Sequence, residues 1–153
     1  MDNNSTDKTP TTSAAPALFD PCTALPDDAL RAAGVDPATK QIGAAGVHQS
    51  GWEICGWDAP QYSITVYSSA RTVADYEKRP DYGDFKDVTF AGRAGRQFRS
   101  HGGTDDLGCE VVFPTAQGTI QISLLNSAVL DNLPSPCTLL PETAAALVPY
   151  LPK

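Results

Sequence analysis

Apolar and polar positions alternate most clearly over Tyr62–Ser69 (YSITVYSS), which places Tyr62, Ile64 and Val66 on one face of a strand. Gly51–Asp58 (GWEICGWD) alternates too, with Glu53, Cys55 and Trp57 on one side and Trp52 and Ile54 on the other. Ala59-Pro60-Gln61 supplies a turn between them, so the two segments predict a hairpin. Cys109–Phe113 (CEVVF) and Thr119–Leu125 (TIQISLL) form a second strand pair around Pro114–Gly118. Lys86–Phe90 and Arg93–Ser100 are strand candidates broken by Ala91-Gly92.

Helical signals fall between these strands. Pro26–Ala33 carries Asp27 and Asp28 at its start, where carboxylates suit the helix dipole, and ends at Gly34. Thr72–Lys78 begins with a capping-box spacing of Thr72 and Asp75. Leu139–Leu151 reads as a closing helix stopped by Pro149. Val35–Ser50, Arg79–Phe85, Ser100–Gly108 and Asn126–Pro136 read as loops. Strands joined by hairpins favour antiparallel pairing. The expected class is α+β: a mainly antiparallel sheet of five or six strands with helices packed against it.

Length sharpens this into one domain, since 153 residues suffice for a substantial core. Residues 1–18 are rich in Ser, Thr, Asn, Asp and Pro and hold little to bury. They are expected to form a disordered tether ahead of a single domain spanning residues 19–153. The net charge of −7 and pI near 4.6 argue against nucleic acid and against adsorption to an anionic membrane surface.

One phrase occurs twice. Pro21-Cys22-Thr23-Ala24-Leu25-Pro26 returns as Pro136-Cys137-Thr138-Leu139-Leu140-Pro141, each time just before an acid-started apolar segment. The remaining cysteines, Cys55 and Cys109, lie in strand-like segments. Four widely spaced cysteines without a C-x-x-C favour two disulfides over zinc, and hence an oxidising compartment and an exported protein. Pairing Cys22 with Cys55 and Cys109 with Cys137 is preferred, because each bridge then ties a helix start to a strand near in sequence. The rival, Cys22 with Cys137 and Cys55 with Cys109, is not separated from it by loop entropy.

Several motifs together carry a family resemblance. They are Phe19-Asp20-Pro21-Cys22 with the following Leu25–Leu30, Gly51-Trp52-x-x-Cys55-x-Trp57, Ala91-Gly92-Arg93, Cys109-Glu110-Val111-Val112-Phe113 with Thr115-x-x-Gly118, Pro136-Cys137, and Pro149-Tyr150-Leu151-Pro152. Residues 19–152 resemble the actinobacterial lipoprotein family called domain of unknown function 3558. The resemblance implies export, a lipid anchor on a cysteine upstream of this sequence, and kinship with PsbP-like and Mog1-like sandwiches. It implies no catalytic residues.

Candidate chemistry is sparse. Arg93, Arg96 and Arg99 near His101 suggest an anion site, but strand parity sends Arg96 opposite to the other two. A solvated strand beside acidic neighbours is the plainer reading. His101 with Asp105 and Asp106 suggests acid–base or metal chemistry, against which stands ordinary turn formation by loop carboxylates. Trp52, Trp57, Tyr62 and Tyr67, the aromatics of one predicted hairpin, are candidates to line a groove or partner surface, against plain core packing, which is the preferred reading for Trp57 on the Cys55 face. No metal, cofactor or catalytic residue is assigned. The expectation is a non-enzymatic, monomeric domain of the cell envelope, lipid-anchored outside the cytoplasmic membrane, that binds an envelope protein or a small ligand. An inhibitor-, immunity- or chaperone-like module and a His101-based hydrolase are the alternatives. Any site is sought in segments 71–87 and 100–108, which the cysteine staples leave uncovered.

Overall fold

Seven antiparallel strands form one sheet in the order β1-β2-β3-β7-β6-β5-β4 in the computed structural model, which describes residues 17–102 and 107–153. The strands are β1 (Asp36–Ile42), β2 (Trp52–Asp58), β3 (Tyr62–Ser69), β4 (Tyr82–Phe90), β5 (Arg93–Ser100), β6 (Gly108–Thr115) and β7 (Gly118–Asn126). The helices are α1 (Pro21–Ala24), α2 (Asp27–Ala32), α3 (Val73–Glu77) and α4 (Pro136–Leu147), and α4 runs into a 3₁₀ turn over Val148–Tyr150. Most of the tether expected over residues 1–18, and Asp105 and Asp106, lie outside the described residues.

The class is α+β, and the strand count is corrected from five or six to seven. The added strand is β1, inside the segment read as loop. Its sequence, DPATKQI, offers no apolar face because it is an edge strand, exposed at most positions, whose register with β2 shifts between Asp36 and Gln41. The start of β4 was also hidden. A bulge between Gly83 and Lys86, with Asp84 at φ 57°, interrupts the period-two pattern. Tyr82 and Phe85 are three apart and would face opposite sides of a regular strand. The bulge turns both onto Phe98, at ring-centre distances of 4.8 and 5.0 Å.

The main core lies between one sheet face and α1, α2 and α4. Cys55, Trp57, Ile64, Val66, Val111, Phe113, Ile122 and Leu124 meet Leu30, Leu140, Ala144 and Leu147 there, nearly all without solvent exposure. Both disulfides lie on this face, Cys22–Cys55 and Cys109–Cys137, each with its Cα atoms 5.2 Å apart. Each fixes the second residue of a helix to a strand. Asp20 caps the first helix, its carboxylate accepting from the Cys22 N–H at 2.9 Å.

The repeated phrase does not fold the same way twice. Leu25 is extended before Pro26, as a residue preceding proline prefers, and the helix is cut into α1 and α2. Leu140 stays helical before Pro141, so α4 continues through its proline to Leu147. Leu140 is fully buried against the core, and tertiary packing overrides the local preference there.

A smaller core covers part of the opposite face. Tyr76, Phe98 and Val112 are buried there, with Trp52, Val73, Tyr82 and Phe85 packed around them. The chain reaches this face because β3 sits mid-sheet and β4 at the far edge, so the crossover carrying α3 passes over it. Thr72 and Asp75 form the expected capping box, with 3.1 and 2.9 Å bonds.

Candidate functional site

The part of this second face that α3 leaves open is a groove of about 410 Å³. Its floor follows from register. Ile54, Tyr67, Gln121 and Val112 form one cross-strand row, and Thr65, Ser123, Glu110 and Phe98 the next. Alternation therefore sends Val111, Ile122 and Val66 into the main core, and Glu110, Gln121, Ser123 and Tyr67 the other way. Trp52, Tyr82 and Arg79 stand around this polar stripe.

Glu110 is the unusual member. It sits mid-strand in β6, is only 5% exposed, and accepts a 2.9 Å hydrogen bond from the Gln121 side-chain amide. Burial pushes its carboxyl up, while hydrogen bonds from Ser123 and Gln121 and the Arg99 charge favour the ionised form. Burial also raises the phenols of Tyr67 and Tyr82, and Glu110 adds to both shifts. The Tyr76 hydroxyl, beneath α3 beside Thr119, is pushed up to about 12 by the same desolvation.

The walls are pinned by their own contacts. Trp52 meets Tyr67 edge-on, with centres 6.2 Å apart, and the Arg71 guanidinium lies 5.5 Å from the indole. Arg79 covers the Tyr82 ring at 4.4 Å and grips Asp81 through two bonds of 3.0 and 2.7 Å. That carboxylate holds the Arg79 guanidinium above its usual range. Aromatic surface beside fixed donors and acceptors suits recognition of a small molecule. Among the described residues the lining contains no histidine, cysteine or lysine.

The residues expected from sequence scatter around this groove. Trp52 is in its wall, and Trp57 is core. Arg93, Arg96 and Arg99 do not converge. Arg96 turns to the α3 side, bonding Glu77 at 2.9 Å and Asp87 at 3.1 Å. Arg93 lies on the other side over Phe113, and donates to the Pro114 carbonyl at 3.0 Å. Arg99 lines a separate hollow with Leu130, Pro134 and Pro136. An anion site built from all three is thus not assembled.

His101 lies outside the groove lining, with Nε2 3.8 Å from Asp84 Oδ2 on an exposed surface. Its sequence partners Asp105 and Asp106 are outside the described residues. Among the described residues no cluster of three or more His, Cys, Asp or Glu is placed to hold a metal.

Tyr67, one of the hairpin aromatics expected to line a groove, is in the lining, whereas Glu110, Gln121 and Ser123 are not singled out by the sequence as site residues. One signal for Glu110 was available: a carboxylate inside the apolar run CEVVF, where a strand covered on both faces tolerates a charge only with partners. Arg79, Tyr82 and Ser100 fall within the segments left uncovered by the staples.

A family model described as protein of unknown function (DUF3558) matches residues 2–150. No curated protein and no solved structure matches the chain.

Proposed function

We propose, from the premise that this chain belongs to the DUF3558 family of proteins of unknown function, that it is an exported binding domain that holds a small ligand on its open sheet face. The observation that carries this reading is the division of labour between the faces. Three helices and both disulfides close one face with a filled core, while the other keeps a 410 Å³ groove of buried polar groups and aromatic walls. A buried carboxylate and amide in an open groove add little to stability, and their placement suits binding. Two disulfides support export to an oxidising compartment. The lipid anchor, the place outside the cytoplasmic membrane, the actinobacterial source and the PsbP-like kinship belong to the same proposal, and helices on both sheet faces favour the last. Among the described residues no helix is long and apolar enough to cross a membrane.

The test uses Trp52 as reporter and Trp57, sealed in the core, as internal reference. Small-molecule fractions of envelope extract are titrated while indole emission and backbone amide shifts are followed. The expected result is a saturable change at Trp52, Gln121 and Ser123, absent in Trp52→Phe emission. Ligands that shift only residues outside the groove, or no ligand at all, overturn the reading.

A protein partner is favoured by one separate feature. Ile42, the last residue of edge strand β1, and Val47 in the segment after it are 61% and 60% exposed. That surface suits the inhibitor- or chaperone-like alternative, and Ile42→Lys would abolish such binding while leaving the groove intact.

A further inference from the structure

We infer that the groove selects a ligand carrying a cationic amine or ammonium group, which ion-pairs with Glu110. This rests on the reading of the groove as a ligand site and specifies what enters it. Glu110 lies on the floor with 5% exposure, yet its carboxyl belongs to the lining. Its hydrogen bonds come from two neutral donors, the Gln121 amide at 2.9 Å and the Ser123 hydroxyl. Two neutral donors do not replace the water that an ionised carboxylate loses on burial. A cation arriving with the ligand would supply a full counter-charge at that spot.

The walls point the same way. Trp52, Tyr67 and Tyr82 surround the floor with aromatic rings, two of which already hold a guanidinium on one side, Arg71 at Trp52 and Arg79 at Tyr82, the kind of contact a ligand cation would make. The basic wall residue Arg79 is committed to Asp81 through two bonds, so it brings no strong call for an anion. An anionic ligand would meet the Glu110 charge at the floor and a net charge of −7 overall. A neutral polyol would satisfy the polar stripe but leave Glu110 with only the Arg99 charge on β5 to balance it, and no cation from the groove side.

The groups around Glu110 define how binding depends on pH. Gln121 and Ser123 on β7 do not titrate in the working range. Tyr67 on β3 and Tyr82 on β4 are both raised from a usual value near 10 and stay neutral. Arg79, after α3, is raised by Asp81 and stays cationic, Asp81 is lowered by Arg79 and stays anionic above acid pH, and Arg99 on β5 adds its positive charge near Glu110. Glu110 is raised, so it takes up a proton first as pH falls. Cation binding then weakens as pH falls and Glu110 takes up its proton.

Three probes of one shape separate the outcomes: 4-phenylbutylamine, 4-phenylbutan-1-ol and 4-phenylbutanoate, titrated into the intact, oxidised chain. The amine should bind at least about tenfold more tightly than either other probe, since a hydrogen-bonded charge pair exceeds a neutral contact by that factor or more. Glu110→Gln should erase the amine's preference over the alcohol, read as the ratio of the two affinities in the same variant. If that variant does not fold, the native chain still decides: amine affinity must fall on acidification from pH 7 to pH 4 while the alcohol's stays level. Equal or tighter binding of the alcohol or carboxylate in the groove overturns the cation inference and leaves the small-ligand reading standing. No response to any of the three also overturns the cation inference. The broader reading then stands or falls on the envelope-extract titration alone.

Discussion

Reducing both disulfides should bring this domain to the edge of unfolding. Cys22–Cys55 closes a loop with a sequence separation of 33, and Cys109–Cys137 one of 28. Loop-closure entropy makes each worth about 3.5–4 kcal/mol, so their joint loss is on the order of 7 kcal/mol. A domain of this size has a total stability of about 5–15 kcal/mol. Urea unfolding followed by tryptophan emission, with and without a phosphine reductant, measures the effect. With a slope of about 1–3 kcal/mol/M, the midpoint should fall by about 2–7 M, which leaves the reduced chain largely unfolded in water or nearly so. The variants Cys22→Ala/Cys55→Ala and Cys109→Ala/Cys137→Ala should each show about half of that drop. A reduced midpoint within about 1 M of the oxidised one would refute the reasoning. It would also remove the physical case for an oxidising compartment.

Other expectations concern the groove face. Phe98→Ala removes a fully buried ring that meets Tyr76, Tyr82 and Phe85, and should cost about 3–5 kcal/mol in urea unfolding while loosening the Tyr82 wall. Thr72→Ala breaks the capping box of α3 and should cost about 1 kcal/mol, with faster amide exchange over Val73–Glu77. Glu110 has a raised folded-state pKa, so its contribution is fully favourable below the unfolded value and is lost as pH rises through the folded value. Glu110→Gln should therefore gain stability relative to the native chain between pH 4 and pH 7, measured as the difference in urea midpoints. A difference that stays constant or moves the other way would contradict the burial of an ionised carboxylate.

What could be read from sequence followed where one environment dominates a segment. In β3, one neighbour face is core and the other is groove, so YSITVYSS shows its period plainly. β1 has an exposed edge and no apolar face, and its signal disappears into the glycines that follow it. At the start of β4 the bulge at Asp84 breaks the alternation on which strand recognition depends. Strand parity correctly separated Arg96 from Arg93, because it needs only local geometry. Glu110, Gln121 and Tyr67 lie on three strands, and only the order β3-β7-β6 sets them side by side. That order arises from the crossover through α3, which no local pattern announces.

The sheet order has a mechanical consequence. Residues up to Ser69 form β1-β2-β3 with one staple of their own, and residues from Tyr82 onward form β4 to β7 with the other. The two halves share the β3–β7 seam, paired from Tyr62 with Asn126 to Ser69 with Thr119, and no disulfide crosses it. Trp52, Ile54 and Tyr67 reach the groove from one half, and Glu110, Gln121 and Ser123 from the other. A molecule lodged there would act as a rivet across the seam, resisting any pull on the chain ends that shears the two halves apart.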